Sequence, residues 1–171
     1  MKSRQFDSPQ LFAVEANELP LSGKALLELM SAVLARGVPF RFCARGWSMT
    51  PFIRDGDVIT VSPLPHARPG VGEVVAFVRP DVENLVVHRV VARHGAASII
   101  RGDGVAEYCN EIVPLENLLG RVTRVERNGR TVWLGLGLER FIIAWFSRTG
   151  LLNPLRMWLA SCLRPLIRRW G

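Results

Sequence analysis

The sequence predicts a mainly β fold: a strongly bent antiparallel sheet or small barrel, with one N-terminal helix and a C-terminal amphipathic helical pair. Three observations carry this. Between residues 39 and 135 the chain runs in short β-rich stretches bounded by glycine and proline, the texture of tightly turned antiparallel strands. Asn128-Gly129 sits between "RVTRVE" and "TVWLGL", and Asn-Gly at that place favours a two-residue hairpin. On either side of this region the apolar spacing changes to a helical period, about 3.6 residues.

The elements follow in order. Residues 1 to 20 read as an arm, with strand character around Leu11 to Val14. Ser22 is placed to cap a helix running to about Arg36, whose apolar face is Leu26, Leu27, Leu29, Met30, Val33 and Leu34; Gly37 ends it. Strands are expected at 39–44, 57–62, 72–78, 85–93, 97–101, 119–126 and 131–135. After Leu138, "LERFIIAWFSR" forms a short helix. Asn153 then caps a second, with Pro154 at its first position, where a missing N–H costs nothing. The organisation is thus an arm and helix over 1–38, a β-rich body over 39–137 and an amphipathic tail over 138–171.

Composition narrows the function classes. With 49% apolar residues in 171, the chain has enough apolar material for a proper core and disorder is disfavoured. Basic residues outnumber acidic ones 22 to 15, giving a net charge of +7, which attracts phosphates of nucleic acid or anionic lipid. Cys43, Cys109 and Cys162 are far apart and lack metal-ligand spacing, so free thiols in a reducing compartment are expected, with no metal and no cofactor. The first 20 residues have no continuous apolar core, so neither an export signal nor a membrane anchor is expected there.

The stretch "GWSMTPFIRDGDVITV", residues 46 to 61, raises the chemical question. Ser48 is a weak nucleophile unless a base takes its proton. Lys2 and Lys24, the chain's lysines, stand far from any β-rich motif. His66 and His94 lie in turn-like stretches, whereas His88 lies inside the apolar strand "NLVVHRVVAR". A polar ring among alternating valines must be hydrogen-bonded or face a cleft. Taken alone, His88 reads first as a satisfied strand histidine, and Ser48 even more as a polar turn residue; neither carries the case by itself.

Four ordered blocks give these residues a context. They are "GWSMTPFIRDGDVITV", "GEVVAFVRP", "VVHRVV" and "IIRGDGVAEYCNEIVPLENLLGRV". In order and spacing they resemble the boxes of the type I signal peptidases and of the related self-cleaving SOS repressor peptidases. His88 before Arg89, where the commoner bacterial enzymes carry lysine, resembles the endoplasmic-reticulum-like Ser-His branch. The resemblance covers residues 46 to about 125. It implies Ser48 as nucleophile, His88 as general base and Asp103 as the acid that orients or tunes the imidazole, the triad logic on another scaffold. It also implies a β-rich fold in which an extended peptide lies along a strand edge near Ser48, with small residues preferred just before the cut.

Two positions depart from the family pattern. Where many relatives carry a hydroxyl residue two before the nucleophile, this chain has Gly46, leaving backbone N–H groups, including that of Ser48, for the oxyanion. Cys109 stands near the place of a second aspartate, and Glu111 is positioned to compensate. Met49 reads as packing beneath the turn, Pro51 as holding it, and Asp57 as fixing it through backbone N–H groups. In "RGDG", Asp103 also has a plain turn-forming reading.

The resulting expectation is a serine endopeptidase that cleaves a leader or signal segment from a peptide or protein precursor. Its rival is an inactive peptide-binding module that keeps the groove. Residues 139–170 carry Trp145, Trp158 and Trp170 with several arginines, a pattern suited to an anionic membrane surface; the same apolar stripe also suits packing on the β body or a second subunit in a homo-oligomer. Nucleic acid is disfavoured, because the residues ahead of the β region supply one good helix, too little for a helix-turn-helix. The expected location is the cytoplasm or the inner membrane face.

Overall fold

The computed structural model describes residues 23–64, 68–79, 84–105, 109–133 and 135–148. Helix α1 spans Gly23–Ala35. The strands are β1 (Phe40–Cys43), β2 (Val58–Pro63), β3 (Val74–Arg79), β4 (Asn84–His94), β5 (Ala97–Arg101), β6 (Glu111–Val113), β7 (Leu118–Arg127) and β8 (Arg130–Thr131), and helix α2 spans Arg140–Arg148. Every strand pairing is antiparallel, in the order β1-β2-β7-β3-β4-β5-β6, with β8 on β7. The sheet curls into a half-barrel.

The bend has local causes. Registers slip between Thr60 and Val61, between Ala76 and Phe77, and between Val90 and Ala92; such irregularities increase twist and bend the strand that carries them. Strand β4 pairs with β3 over Asn84–Arg89 and with β5 over Arg89–His94, so His88 and Arg89 fall where the strand changes partners. The expected hairpin forms: Asn128 and Gly129 have φ of 50° and 72°, the left-handed pair that a tight β7–β8 turn demands.

Each face of the sheet has its own core. Met30 and Leu34 of α1 join Met49, Ile53, Ile59, Val61, Val74, Ala76, Val122 and Val125. On the other face, Val75, Phe77, Val90, Ile100 and Val113 cluster. Alternation along β4 serves both, since Leu85 and Val87 pack on the first and Val86 on the second. Helix α2 packs on β4, burying Ile143 and Ala144 while Phe141, Ile142 and Trp145 stay exposed.

Three details differ from the sequence reading. Leu29, expected on the buried face of α1, is 46% exposed, because Met30 and Leu34 aim that face one position further round the helix. The last strand ends at Thr131 rather than 135, and Trp133 is exposed. Strand β6 was not expected; three residues stopped by Pro114 are too few to show alternation. The arm, Ser22, His66 and the tail from Leu151 onward lie outside the described residues.

Candidate active site

Ser48 lies in a tight turn between β1 and β2. Thr50 N–H donates to Trp47 O at 3.1 Å, and Phe52 and Ile53 N–H donate to Met49 O at 3.1 and 3.0 Å. Met49 and Ile53 sink into the core while Ser48 stays half-buried, so the turn is anchored by its apolar side chains. Asp57 pins the far end, as its sequence position suggested. Its Oδ2 accepts the Arg54 N–H at 2.8 Å, and Arg127 of β7 donates to its two carboxylate oxygens at 2.8 and 2.7 Å. Burial alone would raise the Asp57 pKa, but the Arg127 and Arg54 bonds hold it below the usual aspartate value.

Gly46 supports this turn rather than an oxyanion, because its N–H donates to Asp55 Oδ1 at 2.8 Å. The Ser48 N–H has no partner among the described residues and stays available to a developing oxyanion.

His88 reaches the same place from β4, and the loop after β5 joins the two. Gly104 N–H donates to Ser48 O at 2.7 Å. A Cβ at Gly102 would stand 2.5 Å from Ser48 O and 2.9 Å from His88 Nε2, so glycine alone allows the Ser48 turn and the imidazole to approach this closely. At Gly104 a Cβ would meet Trp47 O at 2.8 Å. Ser48 and His88 line one groove of about 930 Å³, along with apolar Phe42, Met49, Ile53, Leu85 and Val87.

The imidazole is buried and its ring lies 6.1 Å from that of Phe77. Its Nδ1 lies 3.0 Å from Glu111 Oε1, and Glu111 Oε2 accepts from Arg79 Nε at 2.7 Å. Burial depresses the His88 pKa below 6.5; Glu111 opposes this without cancelling it, and Arg79 adds to it. Glu111 feels burial as an upward push, which its bond to Arg79 and the neighbouring His88 outweigh, leaving it lowered.

Asp103 occupies a different setting. Both its oxygens accept from Arg89, with Nε at 2.9 Å from Oδ1 and Nη2 at 2.7 Å from Oδ2, and both side chains are fully buried. Arg89 Nη1 also donates to Gly72 O and Gly135 O at 2.8 Å each, and the guanidinium lies over the Phe52 ring. The carboxylate on Nδ1 is therefore that of Glu111, while Asp103 pairs with the neighbour of the histidine across the sheet. Asp103 still acts on His88 as one of its nearby charges.

The structure thus brings Ser48 and His88 together at Gly102 and sets Glu111 behind the imidazole. Sequence reasoning missed Arg79 and the scaffold role of Arg89. An arginine closing the "GEVVAFVRP" strand and another inside an apolar strand were the available signals, but neither names its partner. Among the described residues no helix is long and apolar enough to cross a membrane. No family model and no curated protein sequence matches the chain.

Proposed function

We propose that the protein is a serine endopeptidase of signal-peptidase-like type, acting on an extended segment of a peptide or protein precursor. The observation that carries the reading is the convergence of the Ser48 carbonyl and the His88 ring on Gly102, with both residues lining one largely apolar groove. The outer edge of β1 has no partner strand among the described residues. A substrate strand added there would present its carbonyl to Ser48.

His88 Nε2 takes the Ser48 proton as Oγ attacks the scissile carbonyl carbon. The Ser48 N–H stabilises the oxyanion, and the imidazolium returns the proton to the leaving amine. Water, deprotonated by the same imidazole, then hydrolyses the acyl-enzyme and regenerates the serine. The exposed face of α2, with Phe141, Ile142 and Trp145, supports contact with an anionic membrane surface as part of this proposal.

One observation favours a non-catalytic, peptide-binding reading: the Ser48 hydroxyl and His88 are not hydrogen-bonded to each other. Such bonds are often long before substrate binds, so the peptidase remains the better account. A diverse peptide library with and without anionic vesicles, read by mass spectrometry, separates the two. Cuts abolished in Ser48→Ala and His88→Ala, with peptide binding kept, are expected of the peptidase. Binding without any Ser48-dependent cut marks the binding module.

A further inference from the structure

We propose that Glu111, gripped by Arg79, is the positioning carboxylate that fixes the tautomer of His88, while Asp103 serves the scaffold through Arg89. This rests on the serine peptidase reading and names the group that reading leaves open.

The argument begins with what each group can donate. An arginine has donors only, and an ionised carboxylate has acceptors only. Arg79 Nε is 2.7 Å from Glu111 Oε2, and the other oxygen is 3.0 Å from His88 Nδ1. In the neutral imidazole, Nδ1 must then carry the proton. Nε2 is left with its lone pair, and it is the nitrogen beside Gly102 and the Ser48 turn. That is the tautomer a general base needs. The three residues stand on three strands, Arg79 on β3, His88 on β4 and Glu111 on β6, so the sheet itself holds the relay in line. The imidazole is also faced by Asp103 from the loop after β5. Asp103 is already held by Arg89 in a bidentate, fully buried pair.

Arg79 has a second effect. Glu111 favours the imidazolium, whereas the Arg79 charge disfavours it. Removing the carboxylate and removing the guanidinium must therefore move the titration of His88 in opposite directions. Mere loosening of the site would not do that.

The substitution Glu111→Gln sharpens the test. With Arg79 unable to accept, the amide oxygen turns to Arg79 and the amide NH2 faces Nδ1. The ring is thereby driven to the Nε2–H tautomer, which cannot take the serine proton. The experiment is nitrogen-15 NMR of the imidazole across pH in the full chain, with His88 assigned against His88→Gln, alongside turnover of a library-derived peptide. Expected in the unsubstituted protein is the Nδ1–H tautomer. Glu111→Gln should show Nε2–H, a downward shift of the His88 midpoint, and a turnover loss on the order of 10³–10⁴-fold. Glu111→Asp should keep the tautomer and part of the turnover. Arg79→Met should shift the midpoint upward.

An unchanged tautomer and midpoint in Glu111→Gln overturns the proposal. So does full turnover in Glu111→Gln where Ser48→Ala has none. If no Ser48-dependent cleavage exists, the peptidase reading fails instead, and the imidazole spectra alone then decide whether Glu111 sets the tautomer.

Discussion

His88 is buried in the folded protein and solvated in the unfolded chain, and this difference ties its chemistry to stability. Its pKa in the fold lies below the ordinary 6.5, because burial disfavours the charged ring more than Glu111 favours it. The unfolded chain therefore binds more protons as pH falls below 6.5, and stability declines until the folded midpoint is passed. Above 6.5 the contribution is complete. Urea midpoints of the unsubstituted protein should fall between pH 7.5 and 5 more steeply than those of His88→Gln, and parallel slopes would contradict the burial argument. Glu111, lowered from 4.5, adds its own loss only in more acid solution. If the proposed peptidase reading holds, the same depression leaves His88 free to accept a proton at lower pH, and activity should extend further into acid than a free imidazole permits. Ser48 and His88 were singled out in the sequence by the resemblance of four ordered blocks, since taken alone each reads as a structural residue. Glu111 was legible only as a neighbour of the expected position, and Arg79 was not, since their bond crosses between strands that the chain separates by 32 positions.

At the scale of elements, the loop that follows β5, with Gly102, Asp103 and Gly104, does more than turn the chain. Gly102 and Gly104 let backbone lie against backbone where the Ser48 turn arrives. Ordinary Cβ contacts do not fall to 2.5 Å, so Gly102→Ala must push the serine away from the imidazole. A displacement near 1 Å costs roughly 10²-fold in rate, and kcat/KM of Gly102→Ala should fall by that order. Gly70→Ala is the control, since its methyl meets only the Glu73 side chain at an ordinary 3.9 Å; equal losses in both would remove the steric account. Glycines in "RGDG" announce a turn in any sequence, but which backbone they admit depends on a segment more than fifty residues earlier. The long strands and the Asn-Gly hairpin were readable because their patterns are local. β6 and the early end of β8 were not, because they are set by where the curled sheet runs out of partners.

For the whole molecule, the Arg89–Asp103 pair is a clamp. It joins β4 to the loop after β5, to Gly72 before β3 and to Gly135 before α2, with Phe52 of the Ser48 turn against the guanidinium. Breaking a buried pair leaves one charge uncompensated and costs about 3–5 kcal/mol. Arg89→Met should lower urea stability by that amount, and adding Asp103→Leu should recover much of it. A double variant as unstable as the sum of its singles would contradict the pairing. The curl that makes this clamp necessary was visible in outline, from short strands and punctuating glycines; its closure was not, because no local pattern reports which arginine is buried. One last consequence concerns length rather than identity. His88 and Arg89 are adjacent and face opposite sides of β4, one toward Phe77 and Glu111, the other toward Phe52 and Asp103. Inserting one residue upstream in that strand would carry the imidazole into the ion-pair seat and put Val87 where the imidazole sits, whereas deleting one would put the guanidinium where the imidazole sits and Val90 into the ion-pair seat. A point change in β4 alters one seat, whereas a single frame-preserving codon gained or lost there would displace both the imidazole and the guanidinium at one stroke.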